Sequence, residues 1–140
     1  MTDLEKAKLT LRSDEYTCVL QKGDLTYTSK ERGVKPLVSL LEAQTDLCGF
    51  SAADKVIGKG AAFLYVRMKI KCVYAHVIST PALELLLSHG IHVEYTTLTD
   101  RIINRKGDGL CPFEALVLGI DDTETAYTAI RQKLKELQKT

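Results

Sequence analysis

CVYAHVISTPALELLLSHGIHVEY, residues 72–95, is the stretch whose reading decides the fold. Its first run, Cys72-Val73-Tyr74-Ala75-His76-Val77-Ile78, is apolar on both of its alternating faces, as a strand covered by other elements on either side is. Thr80-Pro81 then opens a helix, because Pro is tolerated at the first helical position, and Leu83, Leu86 and Leu87 follow at helical spacing until Gly90 stops it. Ile91-His92-Val93-Glu94-Tyr95 returns as a strand. Strand, helix and strand at these lengths make a right-handed crossover with the two strands parallel. The loops after Ile78 and Tyr95 therefore open at one edge of the sheet, where open α/β sheets hold their ligands.

Upstream, Ser51-Ala52-Ala53-Asp54 has the pattern of a capping box with Asp in the acidic place, which predicts a central helix through Ile57, Gly60, Ala61, Leu64 and Met68. Gly58 and Gly60 each cost such a helix about 1 kcal/mol against Ala, a cost that close packing offsets. Earlier still, Asp3 to Leu11 reads as a charged surface helix with Leu4, Ala7 and Leu11 on its apolar side. Tyr16 to Gln21 and Leu25 to Thr28 read as a hairpin turning at Gly23, and Gly33-Val34-Lys35-Pro36 opens a short helix carrying Leu37, Val38, Leu40 and Leu41. Downstream, Thr96 to Leu110 has no period and is expected to be a long loop. Cys111-Pro112-Phe113-Glu114 starts a short helix through Leu118, and Asp121-Asp122-Thr123 caps a last helix with the stripe Tyr127, Ile130, Leu134 and Leu137.

The chain has 140 residues, 45% hydrophobic and 26% charged, which suits one globular domain over residues 1–140 and no disordered or coiled-coil segment. A formal charge of +1 lacks the basic excess that phosphate-backbone binding demands, so general nucleic-acid binding is not expected. Charges are mixed from Met1 to Lys8, and no apolar stretch reaches membrane-helix length, so a cytoplasmic protein with no membrane partner is expected. Cys18, Cys48, Cys72 and Cys111 are widely spaced with no C-x-x-C, so they read as reduced thiols, Cys18 and Cys72 within strands. His89-Gly90-Ile91-His92 has metal-like spacing, but Gly90 breaks the helix between the two imidazoles and leaves His89 as a helix C-terminal cation; His76, alternating with apolar neighbours, reads as a core residue.

This order of elements, with Asp54-Lys55-Val56-Ile57-Gly58-Lys59-Gly60 and Cys111-Pro112-Phe113-Glu114, resembles a bacterial branch of unknown function in the cytidine-deaminase-like superfamily. The resemblance implies a three-layer α/β/α fold with a mixed sheet. In that superfamily His/Cys-x-Glu and Pro-Cys-x-x-Cys, at two facing helix N-termini, hold a catalytic zinc. Ala52-Ala53-Asp54 and Pro81-Ala82-Leu83-Glu84-Leu85 stand in their places here, and Ala52, Ala82 and Leu85 offer zinc no lone pair. The resemblance therefore implies a domain without the zinc site, with no cofactor, and not expected to deaminate.

The expected pocket is the crevice at the sheet edge, with Asp54, Lys55, Lys59, Ser79, Thr80, Asn104 and Arg105 as ligand-binding candidates. Two helix N-termini there would offer amides and positive dipole ends to a small anionic or nucleotide-like ligand, with Lys59 adding charge. A capping Asp54 beside solvated lysines is the plainer alternative. Arg101 and Arg105 would clamp a phosphate or stand as solvated loop charges. A second reading is a metal-independent enzyme using Cys111 or Asp54, with Glu114 one turn from the thiol; Glu114 would raise rather than lower that thiol's pKa, which favours a structural or oxidisable Cys111. A third is an assembly protein whose C-terminal apolar stripe forms a homodimer. Cys111 is expected to be the first thiol to react.

Overall fold

A computed structural model describes residues 1–13, 15–31, 33–104 and 106–138. In chain order the elements are α1 (Asp3–Ser13), β1 (Cys18–Lys22), β2 (Leu25–Ser29), α2 (Lys35–Glu42), β3 (Ser51–Ile57) and α3 (Lys59–Met68). They continue with β4 (Cys72–Ser79), α4 (Thr80–Ser88), β5 (His92–Thr99), α5 (Pro112–Val117) and α6 (Thr123–Gln138). Five strands form one mixed sheet in the order β2-β1-β3-β4-β5. β1 runs antiparallel to β2 and to β3, and β3, β4 and β5 are parallel. Gly23, at φ +58°, makes the tight turn of the hairpin, in the region where only glycine rests without strain.

Three layers result. On one face α1 lays Leu4, Ala7 and Leu11 against Val19, Ala53 and Tyr74. On the other, the helices from α2 to α6 build the main core, with Phe63, Leu64 and Tyr65 of α3 wholly buried at its centre. α3 packs against α2, α4, α5 and α6 as well as β3, which is why almost all of its residues are apolar. The expected α/β/α mixed-sheet architecture is thus observed, and β4-α4-β5 is the crossover read from residues 72–95.

Three expectations change. Ser51 to Ile57 forms strand, not the first turns of a helix, because β1 pairs it on one side and β4 on the other. The alanines of this segment let both faces pack closely, Ala52 toward the helices and Ala53 toward α1, so long-range pairing overrides a local capping pattern. His76 is exposed, since α1 covers the Tyr74 end of the sheet and stops short of it. Of the apolar stripe of α6, Tyr127 and Ile130 are buried and Leu134 packs on the core, so this part of the stripe belongs to the molecule's own interior, while Leu137 is exposed. Among the described residues no helix is long and apolar enough to cross a membrane.

Candidate functional site

The first turn of α3 stands at the C-terminal edge of the parallel strands. Gly58 is its N-cap and no side chain caps it. The first bond within the helix runs from the Ala62 N–H to the Gly58 carbonyl, so the amides before Ala62 have no partner inside the helix. Facing this end is Glu114 of α5, only 1% exposed. Its Oε2 accepts the Ile102 N–H at 2.7 Å, while its Oε1 is buried with no hydrogen-bond partner. A Cβ on Gly58 would lie 3.2 Å from Glu114 Oε2 and 3.3 Å from Ile102 Cγ1, and one on Gly60 would lie 3.4 Å from Phe113. The two glycines thus let the backbone of α3 approach the 102–114 segment, the close packing that offsets their cost.

The loop expected over Thr96 to Leu110 is not aperiodic: Thr96 to Thr99 lengthen β5, paired with β4, and the rest is bridged. Ile103 and Leu110 form an antiparallel bridge, and Cys111 N–H donates to the Ile102 carbonyl at 2.9 Å, so the chain leaves the sheet edge and returns as a short ribbon. Asn104 serves the ribbon's own turn: its Nδ2 donates to Asp108 Oδ1 at 2.9 Å and its carbonyl accepts from Gly107. Arg105 lies outside the described residues, and Arg101 is exposed.

The other expected site residues separate. Lys59 does begin α3, but its Nζ donates to the Leu118 carbonyl at 2.9 Å, at the C-terminal end of α5, and lies 5.6 Å from the Phe63 ring centre; it serves as a helix C-cap cation. Ser79 is buried and caps α4, accepting from the Ala82 N–H at 3.3 Å, and Thr80 Oγ1 donates to the Thr99 carbonyl at 3.4 Å. Pro81 has no N–H, so the α4 end keeps little for an anion. Cys111 is half-buried at the N-cap of α5 and its side chain caps nothing; Cys48 is the exposed thiol. Lys55 is exposed on β3.

Asp54 is at no helix end. It lies within β3, opposite Cys18 on β1 and Ala75 on β4. Tyr65 Oη donates to its Oδ2 at 2.7 Å, the Val56 N–H donates to its Oδ1 at 3.3 Å, and Cys18 Sγ is 3.4 Å from Tyr65 Oη. Burial raises the Asp54 carboxyl to about 7, against the Tyr65 and backbone hydrogen bonds that hold it down. Burial pushes the Cys18 thiol and the Tyr65 hydroxyl far above their ordinary ranges. Sequence reasoning missed this chain, and with it Ile102. The one local signal was an acid inside a run of small and apolar residues bracketed by β-rich segments.

The model of the TM1506-type domain of unknown function, DUF1893, matches residues 6–134. The chain belongs to the DUF1893 family. A crystal structure of a DUF1893 protein from Thermotoga maritima is similar at 30% identity and a TM-score of 0.86, over 95% of this chain and 91% of that one. A dCMP deaminase from the cyanophage S-TIM5, in apo form, has 14% identity and a TM-score of 0.45 over 66% of this chain and 92% of its own. A diaminohydroxyphosphoribosylaminopyrimidine deaminase/5-amino-6-(5-phosphoribosylamino)uracil reductase from T. maritima has 17% identity and a TM-score of 0.42 over 71% and 33%. No curated protein matches the chain.

Proposed function

We propose that this DUF1893 chain is a small-molecule binding or sensing domain, of deaminase-like ancestry, whose ligand pairs with Glu114 and the free amides of α3. The observation that carries the reading is the buried Glu114 Oε1 without a partner, set against an uncapped helix N-terminus. A buried polar oxygen left unbonded costs about 1–3 kcal/mol, which a ligand N–H would recover. The amides beside it donate, so the site asks for a donor and an acceptor side by side, as on the edge of an amide, a urea or an aminopyrimidine. Because Glu114 already faces the positive end of α3, this reading places a nucleobase-like edge there and not a phosphate.

The zinc of deaminases does not fit. Gly58-Lys59-Gly60 and Thr80-Pro81-Ala82 open the two helices, and among the described residues no group of three His, Cys, Asp or Glu comes together. The reading proposed is one of binding and takes no step through a metal.

Calorimetric titration with cytosine, cytidine and CMP tests it. Cytosine and cytidine should bind alike, Glu114→Gln should weaken both by about tenfold or more, about 1.4 kcal/mol, and Lys59→Ala should leave both unchanged. Binding of CMP alone, indifferent to Glu114→Gln, would contradict it.

A further inference from the structure

Away from Glu114, a cavity of about 220 Å³ lies between the β1–β2 hairpin and α2, lined by Cys18, Leu20, Tyr27, Leu37 and Leu40, with exposed Ser39 also on its lining. We infer that this cavity is a second binding site, for a compact uncharged ring carrying a hydroxyl or N–H group, whose polar group meets Cys18 at the end of the Cys18–Tyr65–Asp54 chain. An apolar cavity of about 150 Å³ already accepts benzene, so a single ring with one substituent is the right size. The wall supplies aliphatic and aromatic surface for the ring with Thr28, Ser29 and Glu31 also on its lining, and Cys18 is the lining residue that leads into the buried polar chain.

The chain gives the site two polarities. With Asp54 ionised, both of its oxygens accept: Tyr65 spends its hydrogen on Oδ2, and the Tyr65 oxygen takes the Cys18 hydrogen, leaving sulfur lone pairs to meet a donor on the ligand. With Asp54 protonated on Oδ2, the two side-chain bonds reverse while the Val56 N–H still donates to Oδ1. Asp54 gives to Tyr65, Tyr65 gives to the sulfur, and the S–H is free to meet an acceptor. The proton is taken from solvent and forms the Asp54 Oδ2–H bond; beyond it only these hydrogen bonds change. The titratable groups facing Asp54 are Cys18 from β1 and Tyr65 from α3, while β4 places Ala75 there and β3 its own amides. Glu31, on the cavity's lining, is ion-paired with Lys35 at 3.8 Å. The thiol stays protonated, which fits a hydrogen-bonding group and not a nucleophile. This inference does not rest on the Glu114 reading, and neither fails with the other.

Amide NMR titration of the whole chain with phenol, which donates and accepts, and anisole, which only accepts, tests it at about pH 5.5 and about pH 8.5, on either side of the Asp54 carboxyl. Both probes should shift the amides of Leu20, Tyr27 and Leu37. The preference for phenol over anisole should rise about threefold or more at the higher pH, roughly 0.6 kcal/mol or more. Tyr65→Phe, which breaks the chain, should remove that rise, and Cys18→Ala, which removes the sulfur without adding bulk, should do the same if the first variant folds poorly. Ser39→Trp, on the exposed side of α2, should block the cavity and weaken both probes by about tenfold. Shifts elsewhere, or unchanged binding in Ser39→Trp, would overturn the site; a wild-type preference that ignores pH would overturn the switch in polarity.

Discussion

Asp54 sits inside the sheet with both oxygens hydrogen-bonded, whereas Glu114 sits at the end of α3 with one oxygen bonded and the other without a partner. Both are buried. The first is closed on itself: its hydrogen bonds come from its own strand and from a tyrosine whose ring is locked in the core, so its freedom is in where a proton resides. The second is open: its surroundings satisfy half of a carboxylate and leave the rest for something that brings a donor. On the readings proposed above, a buried acid serves as a switch or a binding group according to how completely its own chain hydrogen-bonds it.

The largest test of the contrast is the pH dependence of folding. Asp54 titrates near 7 in the folded chain and near 3.8 when unfolded. Its folded value is raised, so the native state holds the extra proton; the contribution is fully present below pH 4 and lost as pH rises through 7. Wild-type stability should fall across that interval by up to about 1.4 kcal/mol per pH unit, and Asp54→Asn should flatten the slope. Urea melts at several pH values check this; a wild-type stability that rises over the same range would break the account of Asp54.

Next comes truncation of the open acid. Glu114→Ala should cost about 2–3 kcal/mol, since it leaves the half-buried Ile102 N–H unbonded and a void beside Gly58, whereas Glu114→Gln keeps an oxygen for Ile102 and should cost about 1 kcal/mol. Equal losses in chemical denaturation would show that Ile102 does not depend on that oxygen. Gly58→Ala sharpens the same point at about 1 kcal/mol, because its Cβ would crowd Glu114 and Ile102. Combined with Glu114→Ala the share of the cost that Glu114 imposes should vanish while the Ile102 contact keeps the rest, a coupling that a double-mutant cycle reads.

Thiol labelling gives the smallest signal. Exposed Cys48 should be alkylated first, then half-buried Cys111 near the open acid, and Cys18 beside the closed one last. Peptide mapping with Cys18 ahead of Cys111 would reverse the assignment of open and closed.

The contrast also explains what could be read from residue order. Gly23, Pro36, Pro81 and Gly90 mark turns and helix ends through their own backbone chemistry, so the hairpin, α2 and the β4-α4-β5 crossover were legible. Asp54 was not, because Ser51-Ala52-Ala53-Asp54 looks like a cap and becomes strand only when β1 and β4 close on it. Glu114 was legible as a residue of interest but not in its role: its partner Ile102 lies across a ribbon whose pairing carries no periodic signal. Lys59 was misread because its helical position says nothing of the Leu118 carbonyl it reaches.

The most direct test follows the backbone amides of Gly58, Lys59, Gly60 and Ile102 by NMR while cytosine is added to the wild type and to Glu114→Gln. Saturable shifts of these four amides in the wild type, lost in the variant, are the predicted result. Shifts that persist in Glu114→Gln, or that leave the first turn of α3 untouched, would contradict the account of Glu114 as a carboxylate held open for a ligand.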